Sequence, residues 1–130
     1  ELNNFVDLHK KLQSIDVDIV ILAGFLLKLP TLMVNSYPNR IINIHPSLLP
    51  KYGGKGMYGS NIHKAVIENK ETESGVSIHF VNQNYDEGKI ILQEKCAVSN
   101  NETVETLTQK IHKLEHNYFP GAIEKTIKSL

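Results

Sequence analysis

The sequence predicts an α/β fold, a mostly parallel doubly wound sheet that ends in an antiparallel hairpin and a C-terminal helix. Three observations carry this expectation. Residues 18–24 form an unbroken apolar, β-branched run bounded by Asp18 and Gly24, the character of a strand covered on both faces. A second such run at 40–45 follows after a short helical segment, the alternation expected of strand–helix–strand units. A later pair of runs is separated by turn-forming residues, which reads as a hairpin.

The chain opens with Phe5, Leu8 and Leu12 at helical spacing, so a short amphipathic helix is expected there. After the first strand, residues 30–35 have room for one or two helical turns, with Pro30 or Thr31 near the start, before Tyr37-Pro38-Asn39 interrupts the chain. The second strand stops at Pro46. A loop rich in Gly and Pro follows, and Ser60 is the expected N-cap of a helix running to about Asn69. The third strand covers 75–81, with Val76, Ile78 and Phe80 on one face and Ser77, His79 and Val81 on the other. Residues 82–88 are turn chemistry, and 89–98 return as a strand. From about Thr103, a stripe of Val104, Leu107, Ile111, Leu114 and Tyr118 marks a helix that Pro120-Gly121 is expected to break or kink.

The 130 residues are 41% hydrophobic and 22% charged, the profile of one soluble globular domain. Fourteen basic side chains balance fourteen acidic ones, so no broad positive field exists to hold nucleic acid or an anionic membrane. No apolar run approaches the roughly 20 residues of a membrane helix, and the N-terminus has no basic segment followed by an apolar one. The single Cys96 cannot form an internal disulfide, which fits a reducing cytoplasm. The chain begins with Glu1 rather than Met, and is read as a single domain over 1–130 that is incomplete at its N-terminus.

Asn43 and His45 stand two apart at the C-terminal end of a strand, so their side chains leave one face where ligands of open α/β sheets gather. An amide beside an imidazole suits acyl transfer, the amide N–H holding an oxyanion and the ring moving a proton. Both groups could equally do no more than satisfy nearby backbone. Asp86, in a Gly-containing turn, reads as a turn former, and spacing does not show whether it reaches His45. His79 reads as a hydrogen-bonded core histidine.

His112-Lys113-Leu114-Glu115-His116 resembles an inverted zinc-protease motif, but the further acidic ligand is lacking downstream, where only Glu124 follows, and no metal is expected. Gly53-Gly54-Lys55-Gly56 fails the phosphate-loop template, because Lys55 is not followed by Ser or Thr. A mobile loop or lid is the better expectation for it. Cys96 has no evident base partner and is taken as structural.

The segment Asn43-Ile44-His45-Pro46-Ser47-Leu48-Leu49-Pro50-Lys51-Tyr52 resembles the signature of the folate-dependent formyltransferases. The likeness continues in order through Ala23-Gly24-Phe25, through residues 75–81 and 86–93, and through Glu115-His116-Asn117-Tyr118-Phe119-Pro120. Within that family the branch that formylates phosphoribosylglycinamide in purine biosynthesis is the nearest match. The tRNA-directed branch continues differently after the Asn-x-His triplet, and the hydrolases tend to carry a second His where this chain has Pro46.

The resemblance implies a Rossmann-like formyltransferase fold with Asn43, His45 and Asp86 as the catalytic trio and His79 behind them. It implies 10-formyltetrahydrofolate as the formyl donor, with the phosphoribosylglycinamide amine attacking its formyl carbon. Asn43 and protonated His45 would hold the oxyanion, and Asp86 would raise the pKa of His45 and order a water. Leu26, Leu27, Lys28 and Leu29, with the loop of Asn82, Gln83, Asn84, Tyr85 and Asp86, would hold the pterin, and Glu115 would contact the ribose. Leu27 stands where many members carry Arg, Gly53 replaces a frequent Pro, and the loop at 54–59 is longer than in many relatives. The resemblance further implies strand–helix units upstream, including a Gly-rich phosphate-binding loop, and none precedes Asp18 here. A non-catalytic folate-binding or dimer-forming fragment is the alternative, as is another folate-dependent formyltransferase or hydrolase, and a homodimer is an open assembly for any of these readings.

Overall fold

A computed structural model describes residues 2–130, and Glu1, on which the expectation of an incomplete start rests, lies outside the described residues. The elements follow in the order α1 (Leu2–Ser14), β1 (Val20–Leu22), α2 (Thr31–Ser36), β2 (Ile41–His45), α3 (Ser60–Glu68), β3 (Glu73–Phe80), β4 (Ile90–Ala97) and α4 (Val104–Lys128). The strands form one sheet in the order β1-β2-β3-β4. Helices cover both faces: α1 and α2 pack with Ile41 through Phe5, Leu12, Met33 and Val34, while α3 and α4 pack with Val76 through Ile62, Val66, Leu107 and Ile111. The period-two alternation of β2 produces this split, since Ile41 faces the first cluster and Ile42 joins Ile78 and Ala122 in another.

The α/β class, the closing hairpin and the C-terminal helix stand as expected, and the sheet itself is mixed. Its parallel portion is the β1–β2 pair, with Leu22 opposite Asn43, whereas β2–β3 and β3–β4 are antiparallel. The reason is the path from Pro46 to Thr72. That loop and α3 return the chain to the end of the sheet where β2 finished, so β3 enters there and passes Ser77 opposite His45. The first strand is also shorter and less covered than its composition suggests. Val20, Ile21 and Leu22 are each half-buried, because β1 is the edge of the described sheet.

Two helix boundaries differ from expectation. Gly59, not Ser60, stands at the N-cap of α3, with φ of 55° that a glycine adopts without strain. The last helix runs unbroken through Pro120, which is exposed, so water can take the carbonyl that its missing N–H leaves unpaired. The buried stripe of α4 accordingly passes from Leu107 and Ile111 to Ala122 and Thr126, and leaves Tyr118 37% exposed. Thr103 caps this helix by accepting the Thr106 N–H, while the Thr106 hydroxyl accepts the Thr103 N–H. Among the described residues no helix is long and apolar enough to cross a membrane.

Candidate active site

Beyond the C-terminal end of β2 lies a cleft of about 710 Å³. Asn43 and His45 reach it from β2, and the register that pairs Asn43 with His79 brings a second imidazole alongside from β3. The ring of His79 donates from Nδ1 to the Phe80 carbonyl at 2.9 Å, which leaves Nε2 to accept from the Asn43 amide at 3.4 Å. One N–H of that amide stays available to a ligand.

Asp86 arrives from the tip of the β3–β4 hairpin. The ladder shifts register between Ile78 and His79, and the Phe80 N–H is taken by the Lys89 carbonyl. Gly88 makes this fold-back feasible, since a Cβ there would come within 1.6 Å of the Phe80 oxygen. Asp86 itself has φ of 53°, a region that Asp tolerates better than most residues. Its Oδ2 accepts the Gly54 N–H at 2.9 Å, and its Oδ1 lies 3.4 Å from His45 Nδ1 and 3.8 Å from His79 Nε2.

The other nitrogen of His45 is occupied. Its Nε2–H donates to the Tyr52 carbonyl at 2.8 Å, which assigns the proton of the neutral ring to Nε2 and leaves Nδ1 facing Asp86. Burial pushes the His45 imidazole below its ordinary range, the Asp86 carboxylate and the Tyr52 carbonyl pull it back up, and His79 pushes it slightly down. Asp86 thus acts with the expected sign, but burial outweighs it. The net direction for the His45 pKa is therefore downward.

Leu26 and Leu27 lie along the cleft with more than half of their surface open, and Lys28 Nζ sits 5.6 Å from the Tyr85 ring centroid, joining the two walls. Leu29 borders the cleft but is 6% exposed and belongs mainly to the core with Met33 and Ile41. Asn82 and Asn84 line the cleft, the Asn82 side chain accepting the Asn84 N–H in a local turn. Gln83 does not line it. Its amide donates to Asn35 on the outer surface, away from the cleft.

Glu115 reaches the cleft from α4, its carboxyl raised by burial against the pull of His112 and His116. His112 lines the cleft beside it, whereas His116 is exposed outside, so the two imidazoles of that helical motif do not face one point. Among the described residues no three His, Cys, Asp or Glu side chains converge as metal ligands. Residues 54–60 complete one wall with His63, which is buried and has its Nδ1 unpartnered. Sequence reasoning missed the Tyr52 carbonyl and the Gly54 N–H, because backbone groups carry no residue-type signal, and it missed His63, whose place between Ile62 and Lys64 on α3 gave no cue.

An amide donor, an imidazole and a carboxylate around one cleft are equipped to stabilise an oxyanion and relay a proton. The sequence model described as formyl transferase matches residues 4–123. The chain is 46% identical over 121 residues to a chloroplastic phosphoribosylglycinamide formyltransferase of Arabidopsis thaliana, an alignment covering 90% of this chain and 41% of the plant protein. A second chloroplastic phosphoribosylglycinamide formyltransferase, from Vigna unguiculata, is 42% identical over 118 residues, covering 91% and 38%. The crystal structure of glycinamide ribonucleotide transformylase 1 from Symbiobacterium toebii superposes with a TM-score of 0.83 at 39% identity, covering 92% of this chain and 54% of that one. The chain therefore spans about two fifths of the length of these plant relatives and about half of the solved structure. With the family match running across nearly all of its length, the chain belongs to the formyl transferase family.

Proposed function

We propose that this chain is the catalytic and folate-binding portion of a phosphoribosylglycinamide formyltransferase, which moves the formyl group of 10-formyltetrahydrofolate to the glycinamide amine in purine biosynthesis. The observation that carries the proposal is the meeting of Asn43, His45 and Asp86 on one cleft, with the Asp86 carboxylate 3.4 Å from His45 Nδ1.

In this mechanism the amine nitrogen attacks the formyl carbon, a C–N bond forms, and the carbonyl oxygen becomes an oxyanion that accepts the free Asn43 N–H. The new ammonium loses a proton through a water ordered by Asp86 to neutral His45, whose Nδ1 is the nitrogen left to take it. The imidazolium so formed lies between the Tyr52 carbonyl and the Asp86 carboxylate and adds its charge to oxyanion stabilisation. It then protonates the departing folate nitrogen, the C–N bond to folate breaks, and the carbonyl re-forms. His45 is thus charged during turnover rather than before it, as its burial favours. Leu26, Leu27 and the loop of Asn82, Asn84 and Tyr85 would hold the pterin, and Glu115 the ribose hydroxyls.

The test is formyl transfer by the complete protein, with Asn43→Ala, His45→Ala and Asp86→Ala each reducing kcat by about a hundredfold or more. Full activity of His45→Ala would sink the mechanism. Calorimetric binding of a folate analogue by the parent protein without turnover would support the non-catalytic alternative instead. The compartment proposed is the cytoplasm, on the lone Cys96, although two relatives are named for the chloroplast, and cell fractionation decides it. The single domain over 1–130 and the homodimer also stay as proposals, read by limited proteolysis and sedimentation.

A further inference from the structure

His45 is held from two sides, by Asp86 at Nδ1 and by the Tyr52 carbonyl at Nε2. Tyr52 has φ of 57°, a left-handed conformation that a bulky side chain rarely adopts, so its neighbours must keep it there. Its hydroxyl donates to Glu71 Oε1 at 3.0 Å. Burial and that carboxylate push the Tyr52 phenol up, which keeps the hydroxyl a donor. Glu71 Oε2 also lies 3.3 Å from Lys51 Nζ, so one carboxylate ties two successive residues of the turn. The anchor is itself fixed: the Glu71 N–H donates to the Val66 carbonyl at the end of α3, and the side chain is 24% exposed. Glu71 does not line the catalytic cleft. It borders a separate hollow of about 260 Å³ with Lys51, Tyr52 and Ser74, out of reach of a substrate on the trio.

We propose that Glu71 is a positioning residue: by anchoring the Tyr52 hydroxyl it presents the Tyr52 carbonyl to His45 Nε2, fixes the imidazole tautomer, and leaves Nδ1 beside Asp86 to exchange the proton. The effect on turnover rests on the formyl-transfer reading, whereas the tautomer follows from the geometry alone. Removing the Glu71 carboxylate or the Tyr52 hydroxyl frees the turn to relax from its left-handed conformation, and the carbonyl then leaves His45.

The experiment uses the complete protein with Tyr52→Phe, Glu71→Gln and the double variant, folding being checked by circular dichroism. Nitrogen-15 NMR of the imidazole should show the Nε2–H form of His45 in the parent and a mixture of tautomers in both variants. The Tyr52 bond favours the charged ring, while Asp86 and His79, the other groups facing it, stay in place. The His45 titration, and the acid limb of the formyl-transfer profile with it, should therefore move to lower pH. Turnover should fall about tenfold in kcat with KM for both substrates unchanged, and the double variant should be no worse than either single one. A parent-like tautomer and pH profile in either folded variant overturns the proposal. If Glu71→Gln does not fold, Tyr52→Phe, which removes one oxygen atom, decides alone. A parent protein without formyl transfer would refute the functional reading, and the NMR comparison would still decide the role of Glu71.

Discussion

Asp86→Asn separates charge from geometry at the centre of the site. Asn tolerates the φ of 53° found at this position, matches Asp in size, and can still accept the Gly54 N–H through its amide oxygen. The negative charge 3.4 Å from His45 Nδ1 is lost, and an amide NH2 takes the place of Oδ1, which also favours the uncharged ring. Two unit charges at that distance attract by about 5 kcal/mol at an effective dielectric constant of about 20, before solvation is counted. After solvation, a close opposite charge commonly moves a pKa by about 1–3 units. The His45 titration should move to lower pH by that amount, since the charge that favours the imidazolium is gone. If the imidazolium forms in the transition state, the same loss is about 1.4–4 kcal/mol, or roughly ten- to a thousandfold in kcat. The checks are an NMR titration of His45 and a formyl-transfer assay on the same protein. A His45 titration unmoved by the substitution, or an unchanged kcat, would refute the electrostatic role given to Asp86.

Three further outcomes follow from the same structure. Burial lowers both His45 and His63 below their ordinary value of 6.5, so the unfolded chain takes up these protons first; stability should be level above about pH 7.5, fall as pH drops through 6.5, and flatten below the folded pKa values, as urea midpoints across that range would show. Gly88→Ala drives a Cβ against the Phe80 carbonyl and should cost about 1–3 kcal/mol, read as a lowered Tm, with activity lost as the fold-back that delivers Asp86 opens. Glu115→Gln keeps the shape of a half-buried side chain but removes a charged acceptor, so KM for phosphoribosylglycinamide should rise about tenfold while kcat holds.

What was legible in the sequence divides along physical lines. Strand and helix order followed from apolar periodicity, and Asn43 and His45 could be paired because two positions on one strand share a face. The direction of β3 was not legible, because periodicity marks a strand without saying at which end the preceding loop delivers the chain. Pro120 misled for a related reason: a breaker inside a long helix is tolerated when its unpaired carbonyl faces water, which depends on exposure. Asp86 lies 41 positions beyond His45, and its approach depends on a register shift and on Gly88 meeting the Phe80 backbone. No spacing rule reaches that far, and only the likeness to the formyltransferase signature joined the two residues in advance.

The groups that hold His45, His79 and Asp86 are backbone, and that bears on how the site keeps its shape. The Tyr52 carbonyl holds His45, the Phe80 carbonyl holds His79, and the Gly54 N–H holds Asp86. A side-chain partner could rotate away when the ring charges, whereas these groups belong to the turn after β2, which the Tyr52–Glu71 bond anchors, and to the β3–β4 ladder. Each bond also sets one choice that the proposed mechanism needs: the proton of His45 on Nε2, the lone pair of His79 toward Asn43, and Asp86 aimed at the remaining nitrogen. With these choices already made, the proton transferred in the proposed mechanism is the one group left free to move. Preorganisation of this kind stabilises developing charge without reorganising dipoles at the moment of reaction. In the proposed mechanism the burial that lowers the His45 pKa belongs to the same device, since it favours the uncharged ring that would take the ammonium proton.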